Sequence, residues 1–283
     1  MALTTPGSQE MRILFHRQVP MRDGVALSAD IYLPAGEIKK RPVILSRTPY
    51  LKANMAVVER ARHFVKQDYV YVAMDVRGRG DSAGDAFLPY FNEGIDGYDS
   101  IEWCAQQEWS DGNIGTYGGS YLGCIQWLTA LEQPPHLKAM VVLVPPSDPF
   151  VETPTGLPGP IHLCWLHLVS GRVVQPMDAV PWEEVYWHLP LLTMDEQAGQ
   201  QDWRWRAYLE HTQLDEYWQP LCYQQRFEEL SVPTLHISGW YDDEQVGTPL
   251  NYIGMSTRAA TPEARTNQRL LMGPWGHNTN GSS

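Results

Sequence analysis

Hydrophobic and polar positions change rhythm several times along the chain. From Arg12 to Pro34, apolar residues recur at Val19, Met21, Val25, Leu27 and Ile31 around the turn signal Asp23-Gly24, which predicts an antiparallel hairpin. The short apolar run Val43-Ile44-Leu45 predicts a strand ending in the loop Thr48-Pro49-Tyr50. Ala56 to Gln67 suits a helix, and Tyr69 to Asp75 reads as a strand apolar enough to be buried on both faces. The alternation continues with a helix over Gly97 to Gln107, a strand over Asn113 to Tyr117, a helix over Ser120 to Leu131 and a strand over Ala139 to Val144. After the hairpin, this βαβα order predicts a mostly parallel sheet with helices on both faces and right-handed crossovers, an α/β architecture.

The pattern breaks from about Ser147 to Leu230. This stretch is rich in proline, clusters Trp165, Trp182, Trp187, Trp203, Trp205 and Trp218, and holds several amphipathic helical segments, so it reads as an inserted helical cap. Pro233 to Gly239 then returns to the sheet, a helix follows near Gln245 to Ser256, and Arg269 to Met272 is the last strand. The expected organisation is a first part of the core over 1–146, the cap over 147–230 and a second part of the core over 231–283.

Length and composition fit that picture. A chain of 283 residues suits one catalytic domain with an excursion, and 43% hydrophobic with 19% charged residues is ordinary for a globular protein. A net charge of −12 without any Lys/Arg run weighs against nucleic acid and anionic membranes as partners. Met1 to Glu10 is polar, and no run of about 18 apolar residues is present, so a cytoplasmic protein without a membrane span is expected. Cys104, Cys124, Cys164 and Cys222 are widely spaced, form no C-x-x-C pair, and read as buried free thiols rather than metal ligands.

Candidate chemistry sits where strands end. In Thr116-Tyr117-Gly118-Gly119-Ser120-Tyr121-Leu122-Gly123, Ser120 follows a strand and opens a helix, the setting of a nucleophile elbow. The spacing departs from G-x-S-x-G, because Leu122 stands where the second glycine would fall and the glycine is Gly123. Asp242 follows the strand Thr234 to Ser238 in Gly239-Trp240-Tyr241-Asp242, with Asp243 and Glu244 as rival acids. His277 ends Gly273-Pro274-Trp275-Gly276-His277, just after the last strand. The chain order serine, acid, histidine is that of an α/β-hydrolase. The chemistry needs all three: a serine hydroxyl is a weak nucleophile until an imidazole takes its proton, and a carboxylate fixes that imidazole's tautomer. An oxyanion hole requires two donors. The backbone N–H of Tyr121, at a helix N-terminus, is one. The second must come from an early loop, where Tyr50 is either a phenolic donor or a packing aromatic.

These residues resemble the X-prolyl dipeptidyl-peptidase and cocaine-esterase-like family of α/β-hydrolases. The resemblance runs through Val19-Pro20-Met21-Arg22-Asp23-Gly24-Val25, Arg47-Thr48-Pro49-Tyr50, Asp75-Val76-Arg77-Gly78-Arg79-Gly80-Asp81-Ser82, the Ser120 segment, and the Asp242 and His277 segments. It implies that the glycine at position 123 is the family's own spacing, that the Tyr50 hydroxyl is an oxyanion donor, and that 147–230 is a cap roofing an acyl pocket. Trp165 and Trp240 are expected to line that pocket. The implied activity is hydrolysis of ester or amide bonds of small acyl substrates through an acyl-enzyme on Ser120, without metal or organic cofactor. Family members normally continue past the histidine into a β-rich jelly-roll domain, whereas this sequence stops six residues beyond His277. A homo-oligomer covering the surface so left open is therefore expected. No acid stands in Tyr121-Leu122-Gly123, which weakens an aminopeptidase-like reading, although Asp243 and Glu244 keep an X-Pro-type peptidase open. An acyltransferase using the same acyl-enzyme and an inactive, truncated relative with a binding role are the remaining alternatives.

Overall fold

A computed structural model describes residues 11–148 and 159–277. The expectations for Met1 to Glu10, for the beginning of the cap at 149–158 and for the polar tail after His277 lie outside the described residues. Eight strands form one sheet in the order β1-β2-β4-β3-β5-β6-β7-β8. They are β1 (Met11–Pro20), β2 (Ala26–Pro34), β3 (Arg41–Thr48), β4 (Val70–Asp75), β5 (Ser110–Gly119), β6 (Leu137–Leu143), β7 (Thr234–Gly239) and β8 (Gln268–Gly273). β2 runs antiparallel to β1 and β4, and all other neighbours are parallel. This is an α/β-hydrolase fold, with a mostly parallel central sheet.

The period of two along β4 shows why its residues are all apolar up to Asp75. Val70, Val72 and Met74 face a core shared with Ile101 and Cys104 of α2 (Glu93–Ala105), while Tyr71 and Ala73 face Val57, Ala61 and Val65 of α1 (Met55–Lys66). Both faces are covered, so the strand carries no polar side before its end. The helix α2 begins at Glu93, one turn earlier than the helical pattern predicted. Its first five residues include Gly94 and Gly97, weak helix formers, but also Glu93 and Asp96, whose charge suits a helix N-terminus and which are paired with Arg47 and Arg77.

Between β6 and β7 the described residues contain helices and turns and no strand. The helices are α4 (Pro160–Leu168), α5 (Trp182–Tyr186), α6 (Met194–Gln197) and α7 (Trp203–Glu210), joined by short 3-10 turns. Leu163, Leu166, Val185, Met194, Trp205 and Trp218 share one core with Trp127 of α3 (Tyr121–Leu131) and with Met140 and Val142 of β6. Half of the six tryptophans here are structural, the indoles of Trp182, Trp205 and Trp218 donating to the carbonyls of Met177, Leu191 and His211, whereas Trp187 and Trp203 are exposed. A buried indole keeps its N–H satisfied while its ring supplies apolar area. All four cysteines are free thiols, but Cys164 is only half-buried, because it lies on the less covered side of α4. After β7 come α8 (Gly247–Arg258) and a short helix, α9 (Pro262–Thr266), which the sequence pattern did not announce. The Thr261 hydroxyl caps α9 by accepting from the Ala264 N–H at 3.0 Å, and Pro262 opens its first turn.

Candidate active site

Strand register brings the sequence-predicted residues to one edge of the sheet. Gly119 pairs with Leu143, Leu143 with Ile237, and Gly239 with Gly273, so the carboxyl ends of β5, β7 and β8 lie on the same side of the sheet. Ser120, Asp242 and His277 all lie just beyond these ends, where open α/β sheets hold ligands.

Ser120 has φ 57° and ψ −130°, a backbone region costing roughly 1–3 kcal/mol for a residue with a side chain. Its N–H donates to the Leu143 carbonyl at 2.9 Å, and its own carbonyl accepts from the N–H groups of Gly123 and Cys124 at 2.8 and 3.1 Å. The turn is thereby fixed to β6 on one side and to the first turn of α3 on the other. The irregular position of the glycine has a steric reason. A Cβ on residue 123 would stand 2.9 Å from the Leu143 carbonyl oxygen, whereas Leu122 has room for its side chain within a core of Val76, Phe87, Tyr121 and Ile125.

The acid and histidine loops are fastened together by backbone. Trp240 N–H donates to the Gly273 carbonyl at 2.9 Å and Tyr241 N–H to the Trp275 carbonyl at 3.0 Å. Any Cβ at residue 239 would meet the Trp275 carbonyl at 2.0 Å, so Gly239 is what lets the two loops close. The Asp242 side chain is fully buried; its Oδ1 accepts from the Glu244 N–H at 2.8 Å and lies 3.1 Å from His277 Nδ1. The rivals stand farther off, each with an oxygen 3.8 Å from Nδ1, and Asp243 is 71% exposed. Of the three carboxylates, Asp242 alone is within hydrogen-bond distance of the imidazole. Asp242, Asp243 and His277 also bring one ligand atom each within 4.8 Å of one another, and the Asp242–His277 hydrogen bond engages Oδ1 and Nδ1 of this group.

Tyr50 follows β3, and Pro49, just before it, offers its carbonyl to Arg79. The Tyr50 phenol oxygen accepts from the Trp165 indole N–H at 2.8 Å. Desolvation pushes this phenol up to about 12, against smaller opposing pulls from its hydrogen bonds with Trp165 and Ser120, so it stays protonated at neutral pH. Tyr121 is buried, and its hydroxyl donates to Glu93 Oε1 at 2.7 Å while accepting from the Tyr90 N–H at 3.0 Å. Glu93 is held in turn by the buried Arg47 guanidinium. Trp165 stacks on Tyr121 with centroids 5.4 Å apart and on Tyr90 at 6.2 Å, and Phe87 meets it edge-on at 6.3 Å. Trp240, by contrast, is 63% exposed and stands outside this stack.

Sequence reasoning missed three contributors: Arg79, the Arg47–Glu93 pair and Tyr90. Arg79 is fully buried, and desolvation pulls it down to about 10, still cationic at neutral pH. The available signal was a pair of arginines inside the glycine-rich segment Asp75 to Ser82, a loop whose charged residues would be solvated if they had no partners.

Comparison with known proteins agrees with this architecture. A family model described as X-Pro dipeptidyl-peptidase (S15 family) matches residues 23–279. Cocaine esterase from Rhodococcus sp. (strain MB1 Bresler) is 30% identical over 284 residues, covering 92% of this chain and 48% of that protein. A putative serine esterase from Mycobacterium bovis is 32% identical, covering 65% of this chain and 32% of its own. Among solved structures, a CocE/NonD family hydrolase from Staphylococcus aureus superposes with a TM-score of 0.72 at 25% identity, over 95% of this chain and 47% of the other. An α-amino acid ester hydrolase superposes with a TM-score of 0.80 at 24% identity, over 99% and 51%. The chain thus spans about half the length of the curated relative it matches over most of its own length. With the family match extending from the hairpin turn at Asp23 to beyond His277, the chain belongs to the X-Pro dipeptidyl-peptidase (S15) family.

Proposed function

We propose that this chain is a serine hydrolase cleaving ester or amide bonds of small acyl substrates. Ser120 Oγ attacks the acyl carbonyl, His277 takes its proton and returns it to the leaving group, and Asp242 orients the imidazole through Nδ1. The oxyanion forms between the backbone N–H of Tyr121 and the phenol of Tyr50. Water then hydrolyses the acyl-enzyme on Ser120 by the same proton path in reverse. The observation that carries this reading is Ser120 in a strained backbone conformation at the carboxyl end of β5, with a protonated phenol beside it and a buried Asp242 paired with His277 beyond β7 and β8 of the same sheet. The esterase names borne by its relatives support the ester reading.

The test is labelling with a fluorophosphonate followed by mapping of the modified residue, together with hydrolysis of p-nitrophenyl butyrate. Modification should fall on Ser120 alone. Ser120→Ala should lose roughly 10⁴-fold or more in kcat and all labelling. Label on another residue, or turnover retained in Ser120→Ala, would refute the assignment. Added alcohol in the same assay separates hydrolysis from acyl transfer by its products.

A further inference from the structure

The proposed oxyanion donor does not stand alone on its loop. Trp165, in the middle of α4, donates its indole N–H to the Tyr50 phenol oxygen at 2.8 Å. A phenol oxygen has one O–H to donate and lone pairs to accept with. Occupying an acceptor site with the indole fixes which way the remaining O–H turns, and it polarises that O–H, since hydrogen bonds in a chain strengthen one another. Trp165 is itself held rigidly. Its ring lies against Tyr121, the residue after the nucleophile, and against Tyr90, and its carbonyl accepts from the Val169 N–H at 3.1 Å.

One buried side chain ties the two elements together. Arg79 Nε donates to the Pro49 carbonyl at 2.8 Å, directly before Tyr50, while Nη1 donates to the carbonyls of Val169 at 2.9 Å and Ser170 at 3.2 Å, directly after α4. The separation between the Tyr50 loop and the end of the Trp165 helix is therefore set by a planar guanidinium. Tyr50 and Trp165 stand 115 residues apart in the chain, so no local preference produces their contact.

We propose that Trp165 is a positioning residue for the oxyanion site: its indole N–H orients the Tyr50 hydroxyl toward the developing oxyanion, so that the helical excursion contributes to the rate of the chemical step and not only to the shape of the pocket. This rests on Tyr50 being an oxyanion donor, as proposed above. A ring that merely lined the pocket would act on substrate binding. One acting through Tyr50 acts on kcat, and only while the hydroxyl is present.

A double-mutant cycle on p-nitrophenyl butyrate tests it. Tyr50→Phe should lower kcat by about 10²–10³-fold. Trp165→Phe should lower kcat by about 3- to 10-fold, the scale of one neutral hydrogen bond, with KM changed by less than about twofold. When Tyr50→Phe is already present, Trp165→Phe should lower kcat by less than about twofold further. Because phenylalanine is also smaller, a second variant replaces the indole of residue 165 by benzothiophene, which keeps the shape and lacks the N–H; it should reproduce the loss. If Trp165→Phe costs the same with and without the Tyr50 hydroxyl, or if the benzothiophene variant retains full kcat, the positioning role is overturned while Tyr50 keeps its place. If Tyr50→Phe itself leaves kcat unchanged, the oxyanion assignment fails first.

Discussion

Three carboxylates stand near one imidazole, and distance and burial decide between them. Asp242 lies 3.1 Å from Nδ1 with its side chain fully buried, while the nearest oxygens of Asp243 and Glu244 are at 3.8 Å. A buried carboxylate in hydrogen-bond contact acts at low local dielectric; the exposed Asp243 at ion-pair distance is screened, and the part-buried Glu244 is set aside by its distance alone. Asp242→Asn should therefore lower kcat by roughly 10³–10⁴-fold, because the amide favours the wrong imidazole tautomer. Asp243→Asn should cost less than about threefold. Steady-state kinetics on one ester substrate measures both, and the reverse order would move the acid to Asp243. The sequence could rank Asp242 first only by its place after β7. What it could not show is that the neighbouring acids stay within 4 Å, since that depends on how the Gly239 and Gly273 turns fold against Trp275.

At the level of elements, strands were legible wherever both faces are buried or where a turn signal bounds the run, as in β4 and the Asp23-Gly24 hairpin. The start of α2 was not, because its first turn is stabilised by Arg47 and Arg77 from other elements, and these long-range pairs leave no local trace. The Tyr50–Trp165 contact was hidden for the same reason. β7 offers a prediction of its own. His236 on this strand is buried, stacked on Trp127 at 5.6 Å, with Nε2 2.9 Å from Gln268 Oε1, and desolvation pulls it down to about 4. The native state thus holds this imidazole neutral while the unfolded chain protonates near 6.5. Its contribution to stability is present above about pH 6.5 and is lost as pH falls toward 4, by up to about 3 kcal/mol. Urea titrations at pH 7.5 and pH 4.5 on wild type and His236→Gln should show a smaller acid loss in the variant. An identical pH dependence would mean that other groups account for the whole effect.

At the scale of the whole molecule, the proposed site lies beside an exposed apolar surface. β8 is the edge strand of the sheet and exposes Leu270 and Leu271; α8, packed beside it, exposes Leu250 and Ile253, and the acid loop exposes Trp240 and Tyr241. The His277 loop hangs from this same strand, so whatever covers the face also steadies the proposed general base. Apolar surface of this kind favours association, and we propose that a second copy of the chain supplies the cover. The charge of −12 works against it, since two copies repel at low ionic strength. Association should therefore strengthen with added salt, which screens the repulsion over a Debye length of about 8–10 Å and leaves the apolar contact intact. Light scattering, specific activity and thermal midpoint followed across a dilution series, at low and moderate salt, should fall together on dilution and recover with salt. A monomer of constant specific activity at every concentration would sink the proposal, and would show that the backbone bonds from Trp240 and Tyr241 to the histidine loop suffice to hold His277 in place.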